Sequence, residues 1–403
     1  MTLRNLWIFG LSPLCLAFAL QSVGGVGVQD SIAYWGAVQA FMRGENPYDL
    51  TTLLNIQRSI IPDIQSPQLF LNPPWAIPLL LPLFRWSFAT SSFLLLAANI
   101  SITFFTLRKL SELTAPLSPR YTWLVGAFFP IVSCWYFGQL SCFLLLGAIL
   151  SLQWVVQKYH PWWKVGVALL LFSIKPQTMI ILSAALVTTT VRCLSLRDIS
   201  KVLSIALAPV VFLAYRGDSL RWWLSSFTYS TRYVTSSLPS LTSSALSSVN
   251  ELAFLLLPAA LVGACVLVFE KKGISPYRFL VYMLISSLMA PYAWIFDFSP
   301  FLIITYAAMV VAVQQPGYSV RRWGSVALLI ALCLPFESLF TKNLQAYALH
   351  PLLVVILLVW NHRDIPTLFE RMKLNGDQRA LDRSLQQQSG SPDEVSHPCP
   401  SGS

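Results

Sequence analysis

Asp30 stands where the first apolar run of the chain ends, at the head of the stretch VQDSIAYWGAVQAFMRGENPYD (residues 28–49). A carboxylate on the rim of an apolar region can serve as a general base. It can equally cap the helix that follows, since Asp is a favoured N-cap. The residues after it suit that second role. Ile32, Trp35, Val38, Phe41 and Met42 fall at helical spacing, Gly44 suits a C-terminal cap, and Pro47 follows at the usual distance. Lys175 interrupts two apolar runs in the tetrapeptide IKPQ, where a cation either meets an anion or snorkels to the interface. Asp297 sits between Phe296 and Phe298 at the edge of another apolar run. Gln139, in FGQL, can hydrogen-bond a ligand hydroxyl or simply make a turn. Arg43 and Arg58 are further cations, expected as surface charges or as second choices for an anion. Glu45, Asn46, Tyr48 and Asp49 form a polar turn that lines a pocket or packs beside one, and Asp63 is a weaker carboxylate candidate.

Other chemistries find little support. There is no DxD pair, and the four histidines (His160, His350, His362, His397) are dispersed, so no metal site is expected. Seven cysteines are scattered without a CxxC, which argues against both a disulfide framework and zinc.

The elements that must position these residues follow from composition. Of 403 residues 55% are hydrophobic and only 11% charged, where a soluble domain carries about a quarter charged. The expected class is an all-α, polytopic membrane protein of about 12 spans. These are read near 6–23, 88–107, 121–138, 140–157, 164–174, 177–191, 201–215, 252–269, 278–296, 298–313, 324–340 and 345–360. The run Leu6–Val23 reads as an uncleaved span rather than a signal peptide, because many spans follow it. The net charge of +10 gathers in short loops, so it reads as an orientation signal and as contact with anionic lipid, with no nucleic acid implied. Most Lys and Arg fall inside if both ends of the chain are cytoplasmic. The first loop, residues 24–87, is then external and built of interfacial helices. Its stretch NPPWAIPLLLPLF (residues 72–84) is short and proline-rich, so it reads as re-entrant or interfacial. Residues 165–191, broken at IKPQ, read as two short helices. Residues 216–250 form a second external segment. A membrane-embedded domain over 1–360 is followed by a polar, cytoplasmic tail, 361–403, expected to be disordered.

Several stretches occur in an order that resembles a known family: DSIAYWGAVQAFMRGENPYD, LNPPWAIPLLLPLF, FFPIVSCWYFGQLSCFLLLGAIL, SIKPQTMIILSAAL and LMAPYAWIFDFSPFLI. Together they look like glycosyltransferase family 87, membrane mannosyltransferase-like proteins of the polyprenyl-phosphate-sugar-dependent C-type fold. The resemblance covers about residues 1–191 and 286–304. It implies an essential carboxylate in the first external loop, just after the first span, acting as general base on the acceptor hydroxyl. Asp30 is the residue that matches. One departure is Asn72, where the family usually has an aromatic residue before the proline pair.

The expected activity is inverting transfer of a hexose such as mannose from a polyprenyl-phosphate donor to a glycolipid or glycan acceptor on the non-cytoplasmic side. No cofactor or metal is required. Lys175 is the first choice for the donor phosphate, with Arg43 and Arg58 behind it. Asp297, Gln139, Tyr48 and Asn46 are expected to contact substrate. A transporter or flippase for a lipid-linked sugar is the alternative, and a non-catalytic membrane scaffold the third class.

Overall fold

A computed structural model describes residues 28–159, 161–214, 218, 220–223, 273–290, 293–314, 320–334 and 349–369. Among these, all regular structure is helical. The expected spans 6–23 and 252–269, the segment 224–250 and the tail beyond 369 lie outside the described residues.

The first loop folds into three helices. Helix α1 covers Val28–Met42, α2 Leu50–Arg58 and α3 Ala76–Phe84. Gly44 ends α1 with φ +78, and the Glu45 amide donates back to the Ala40 carbonyl at 2.9 Å. That backward bond needs a left-handed residue, which glycine adopts without strain. Asp49 caps α2, accepting from the Thr52 amide at 2.8 Å. Helix α3 has nine residues, about 14 Å of rise, too short to cross a membrane. It begins in a turn over the proline pair, with the Ala76 amide donating to the Pro73 carbonyl.

Two expectations for this loop need correction. Asp30 does not cap α1, because the helix already begins at Val28 and Asp30 lies within its first turn. Nor does α1 bury one apolar stripe alone. It is packed on nearly all sides by α2, α3 and the helix after them, so Ser31, Ala33, Tyr34, Ala37 and Ala40 are buried beside the stripe residues, whereas Met42 is 51% exposed. Small residues between the large ones let neighbours close on every face.

Helix α4, Phe88–Leu113, is capped by Ser87 and runs for 26 residues. The expected span 121–138 is two helices, α5 (Pro119–Gly126) and α6 (Phe129–Tyr136). Pro130 cannot continue a preceding helix, and the Phe129 amide turns instead to the Leu332 carbonyl at 3.1 Å. Helices α7 (Ser141–Val156), α8 (Trp163–Phe172), α9 (Pro176–Cys193) and α10 (Leu196–Ala214) follow. The break at IKPQ is real, with α8 and α9 as separate helices; α9 is the long one at 18 residues and α8 the short one at 10.

Helix α11 runs Pro276–Leu288, so the expected span 278–296 ends early. A 3-10 helix at Ile295–Phe301 then leads straight into α12, Leu302–Gln314. Helix α13 is Val320–Ala331 and α14 is Leu349–Trp360. The chain does not leave the fold at 361: Ile365, Leu368 and Phe369 are buried in the main core.

Two of these elements, Phe88–Leu113 and Ile295–Gln314, are long and apolar enough to cross a membrane, and the second is wholly wrapped by protein. The main core joins α7, α8, α9, α11, the 3-10 helix and α12; a second core lies inside the first loop. Leu140 and Ile174 belong to that second core. Their neighbours Gln139 and Lys175 therefore lie on the seam between the two.

Helices α7 and α8 approach closely at Gly147. A Cβ there would meet the Phe172 ring at 2.7 Å and the Ala168 carbonyl at 3.3 Å. Phe172 is itself fully buried. Gly147→Val is therefore expected to cost about 1–3 kcal/mol through overpacking. Thermal unfolding in detergent should show a clear fall in midpoint, and an unchanged midpoint would mean the helices can part without cost.

Candidate active site

Four separate parts of the chain deliver polar side chains to one place. Asp30 and Tyr34 come one turn apart on α1. Gln139 comes from the turn between α6 and α7. Gly138, with φ +62, reverses the chain there, and the Gln139 amide donates back to the Cys134 carbonyl at 2.9 Å. Lys175 comes from the α8–α9 joint. Pro176 disfavours a helical conformation in the residue before it, and Lys175 has φ −134 and ψ 69. Its side chain is thereby released from the helix surface. Asp297 comes from the 3-10 helix.

The contacts among them are dense. The Lys175 ammonium donates to Asp297 Oδ1 at 2.7 Å, to Gln139 Oε1 at 3.0 Å and to Ser141 Oγ at 3.1 Å. Three acceptors match its three N–H donors. It also lies 4.8 Å from the centre of the Phe296 ring, a cation–π contact. The Lys175–Asp297 ion pair is almost dry, with side-chain exposures of 8% and 1%. Asp297 accepts further from Ser141 Oγ at 2.6 Å and from the Trp294 amide at 3.1 Å. Gln139 donates through Nε2 to Asp30 Oδ2 and accepts at Oε1 from the Tyr34 hydroxyl at 2.7 Å.

Asp30, Tyr34, Gln139, Lys175 and Asp297 line a cavity of about 450 Å³ that also includes Asn72, Gln177, Phe137 and Trp294. Polar groups and aromatic faces share its walls, as ligand sites commonly require. The two carboxylates are not equivalent. Both oxygens of Asp297 are engaged by Lys175, Ser141 and Trp294. Among the described residues, one side-chain hydrogen bond reaches Asp30, from Gln139, and its carboxylate opens on the cavity. Burial pushes the Asp30 carboxyl above its ordinary value, and the Asp297 charge adds to the rise; the Gln139 hydrogen bond and the Lys175 charge offset it only in part.

The expected site residues divide accordingly. Asp30, Lys175, Gln139 and Asp297 come together. Arg43 and Arg58 do not: both are exposed and neither lines the cavity. Arg43 lies beyond the end of α1, more than three turns from Asp30, and Arg58 Nε donates to the Ile64 carbonyl at 3.4 Å. Asn46 accepts from the Tyr48 amide at 2.9 Å, a local turn contact away from the cavity. Tyr48 is buried and one step removed from the cavity; its hydroxyl donates to the Asn72 carbonyl at 2.7 Å. Glu45 and Asp63 are exposed.

Asn72, just before the proline pair, lines the cavity and donates through Nδ2 to the Ile174 carbonyl at 3.0 Å. It ties the first loop to the joint that carries Lys175, helped by Trp75 Nε1 on the Ser173 carbonyl at 2.8 Å. Sequence reasoning missed Tyr34 and Ser141. Tyr34 sits one helical turn after Asp30, the i+4 spacing that shares a face. Ser141 follows Gln139 by two residues, and nothing local marked it. Asn99 was also missed; its Nδ2 donates to the Gln139 carbonyl at 2.8 Å and fixes the turn from behind.

Among the described residues no cluster of three or more His, Cys, Asp or Glu is placed to hold a metal ion. No protein-family model, curated protein or solved structure matches this chain.

Proposed function

We propose that the protein is a multi-pass membrane glycosyltransferase of the C-type fold, with about 12 spans and its active site on the non-cytoplasmic side. It moves a hexose from a polyprenyl-phosphate sugar to a glycolipid or glycan acceptor. The observation that carries the reading is the convergence of Asp30, Gln139, Lys175 and Asp297 on one cavity, with Asp30 the carboxylate that the protein engages least. The resemblance to glycosyltransferase family 87 had singled out the same aspartate from sequence order alone.

In this chemistry the Asp30 carboxylate takes the proton of the acceptor hydroxyl as its oxygen attacks the anomeric carbon. The bond from that carbon to the phosphate oxygen breaks, and its electron pair leaves with the phosphate. The donor brings a leaving group already stable as an anion, so the protein's task is alignment and proton removal. Lys175 contributes positive charge on the cavity wall while holding Asp297 and Gln139 in place. The aromatic side chains of Phe137 and Trp294 on the cavity wall suit the apolar faces of a sugar ring.

The reading is tested by incubating purified protein in lipid with labelled polyprenyl-phosphate sugars and a membrane glycolipid extract. Transfer of label to lipid or glycan is expected, and movement of intact labelled donor between leaflets without transfer would favour a flippase. The pH profile of transfer gives a second check. A base works deprotonated, and a raised carboxyl regains its proton sooner as the pH falls. The acid limb is therefore expected above the ordinary aspartate value of 3.8. An acid limb at or below that value would dissociate it from Asp30.

A further inference from the structure

The amide of Gln139 has only one way to face. Its Oε1 receives the Lys175 ammonium at 3.0 Å and the Tyr34 hydroxyl at 2.7 Å. Lysine can only donate, so an oxygen must stand there. The Tyr34 phenol is held protonated by complete burial, reinforced by the charges of Asp30 and Asp297, so it too donates. Two donors on one side force the Nε2 side of the amide toward Asp30 Oδ2. Amide orientation is ordinarily ambiguous, but here the network decides it. The backbone of Gln139 is fixed as well, by Asn99 on its carbonyl and by the turn at Gly138. Gln139 is 4% exposed and all its polar side-chain atoms are engaged within the protein.

We infer that Gln139 is a positioning residue, clamped by Tyr34 and Lys175, that aims the Asp30 carboxylate and keeps it ready to accept a proton, and that it is not a ligand for the sugar. The inference rests on Asp30 as the base of the proposed reaction, and it replaces the expected substrate contact at Gln139. Among the described residues, the titratable and charged groups facing Asp30 are Tyr34 on its own helix, Lys175 from the α8–α9 joint and Asp297 from the 3-10 helix. Lys175 reaches Asp30 through Gln139, so the amide couples the one cation of this cluster to the base. Without it, the donated hydrogen bond that favours the ionised carboxylate is gone, and burial prevails over the Lys175 charge that still opposes it.

Gln139→Met keeps the length and removes both the acceptor and the donor. Two readouts are needed. Infrared titration of the Asp30 carboxyl stretch, identified by its disappearance in Asp30→Asn, requires no substrate. The proton is expected to bind at higher pH in Gln139→Met than in the native protein. In the transfer assay, the acid limb should move up with it, and kcat should fall about 10- to 100-fold, the scale of a hydrogen bond to a charged group, with KM for donor and acceptor little changed. Tyr34→Phe loosens the clamp without removing the amide, and should shift the titration the same way by less; it decides the matter if Gln139→Met does not fold. An unmoved titration in both variants, or a raised KM with an unmoved acid limb, overturns the inference. A shifted titration in a protein that transfers no sugar keeps the clamp and removes the transferase reading.

Discussion

Asp30→Asn is expected to reduce sugar transfer by about 100-fold or more, within the range for losing a general base. Expression and thermal stability should stay near native. Asn retains a side-chain oxygen for the Gln139 amide, so the hydrogen bond that orients residue 30 survives. It loses the favourable placing of a carboxylate in the first turn of α1, worth about 0.3–1 kcal/mol, which sets the size of any stability change. It also relieves a buried charge, which acts in the opposite direction. A purely structural Asp30 predicts another pattern: Asn tolerated in the assay and Ala mildly destabilising. Near-native transfer by Asp30→Asn, measured at saturating donor, would end the catalytic assignment and leave the fold untouched.

Lys175→Met should be the most destabilising single change in the site. It leaves Asp297, 1% exposed, with a buried charge and no cation against it. Removing one partner of a buried ion pair costs about 3–5 kcal/mol, far more than removing an exposed charge such as Arg43. The cost belongs to the stranded carboxylate, so Lys175→Met combined with Asp297→Asn should recover much of it. A double-mutant cycle read by unfolding in detergent measures the coupling. Independent, additive effects would mean that the pair is solvated. Transfer should fail in the single variant for two linked reasons: Gln139 loses one of the two donors that orient it, and the site loses the cation that balances the Asp297 charge. Lys175 thus carries a structural duty that an expected phosphate contact alone did not include.

Much of the first loop was written locally. The proline pair with its short apolar run gives α3, the Gly44 signal ends α1, and Pro176 splits α8 from α9, because each acts through the backbone of its immediate neighbours. The all-helical class and the candidate residues Asp30, Gln139, Lys175 and Asp297 were legible for a similar reason: polar side chains stand out against apolar runs. What could not be read were the partnerships. Gln139 and Asp30 are 109 residues apart, and Lys175 and Asp297 are 122 apart. Only packing of the first-loop core against the main core brings them together. The same packing covered α1 on nearly every side, removing the amphipathic role its stripe suggested, and left Arg43, Arg58 and Asn46 outside. It also drew residues 361–369 into the fold, where Ile365 and Phe369 find apolar surface that no local pattern announces. Sequence determined which residues could do chemistry; the tertiary structure decided which of the two cavity-lining carboxylates is engaged at both oxygens, by Lys175, Ser141 and the Trp294 amide, and which is held, among the described residues, by Gln139 alone.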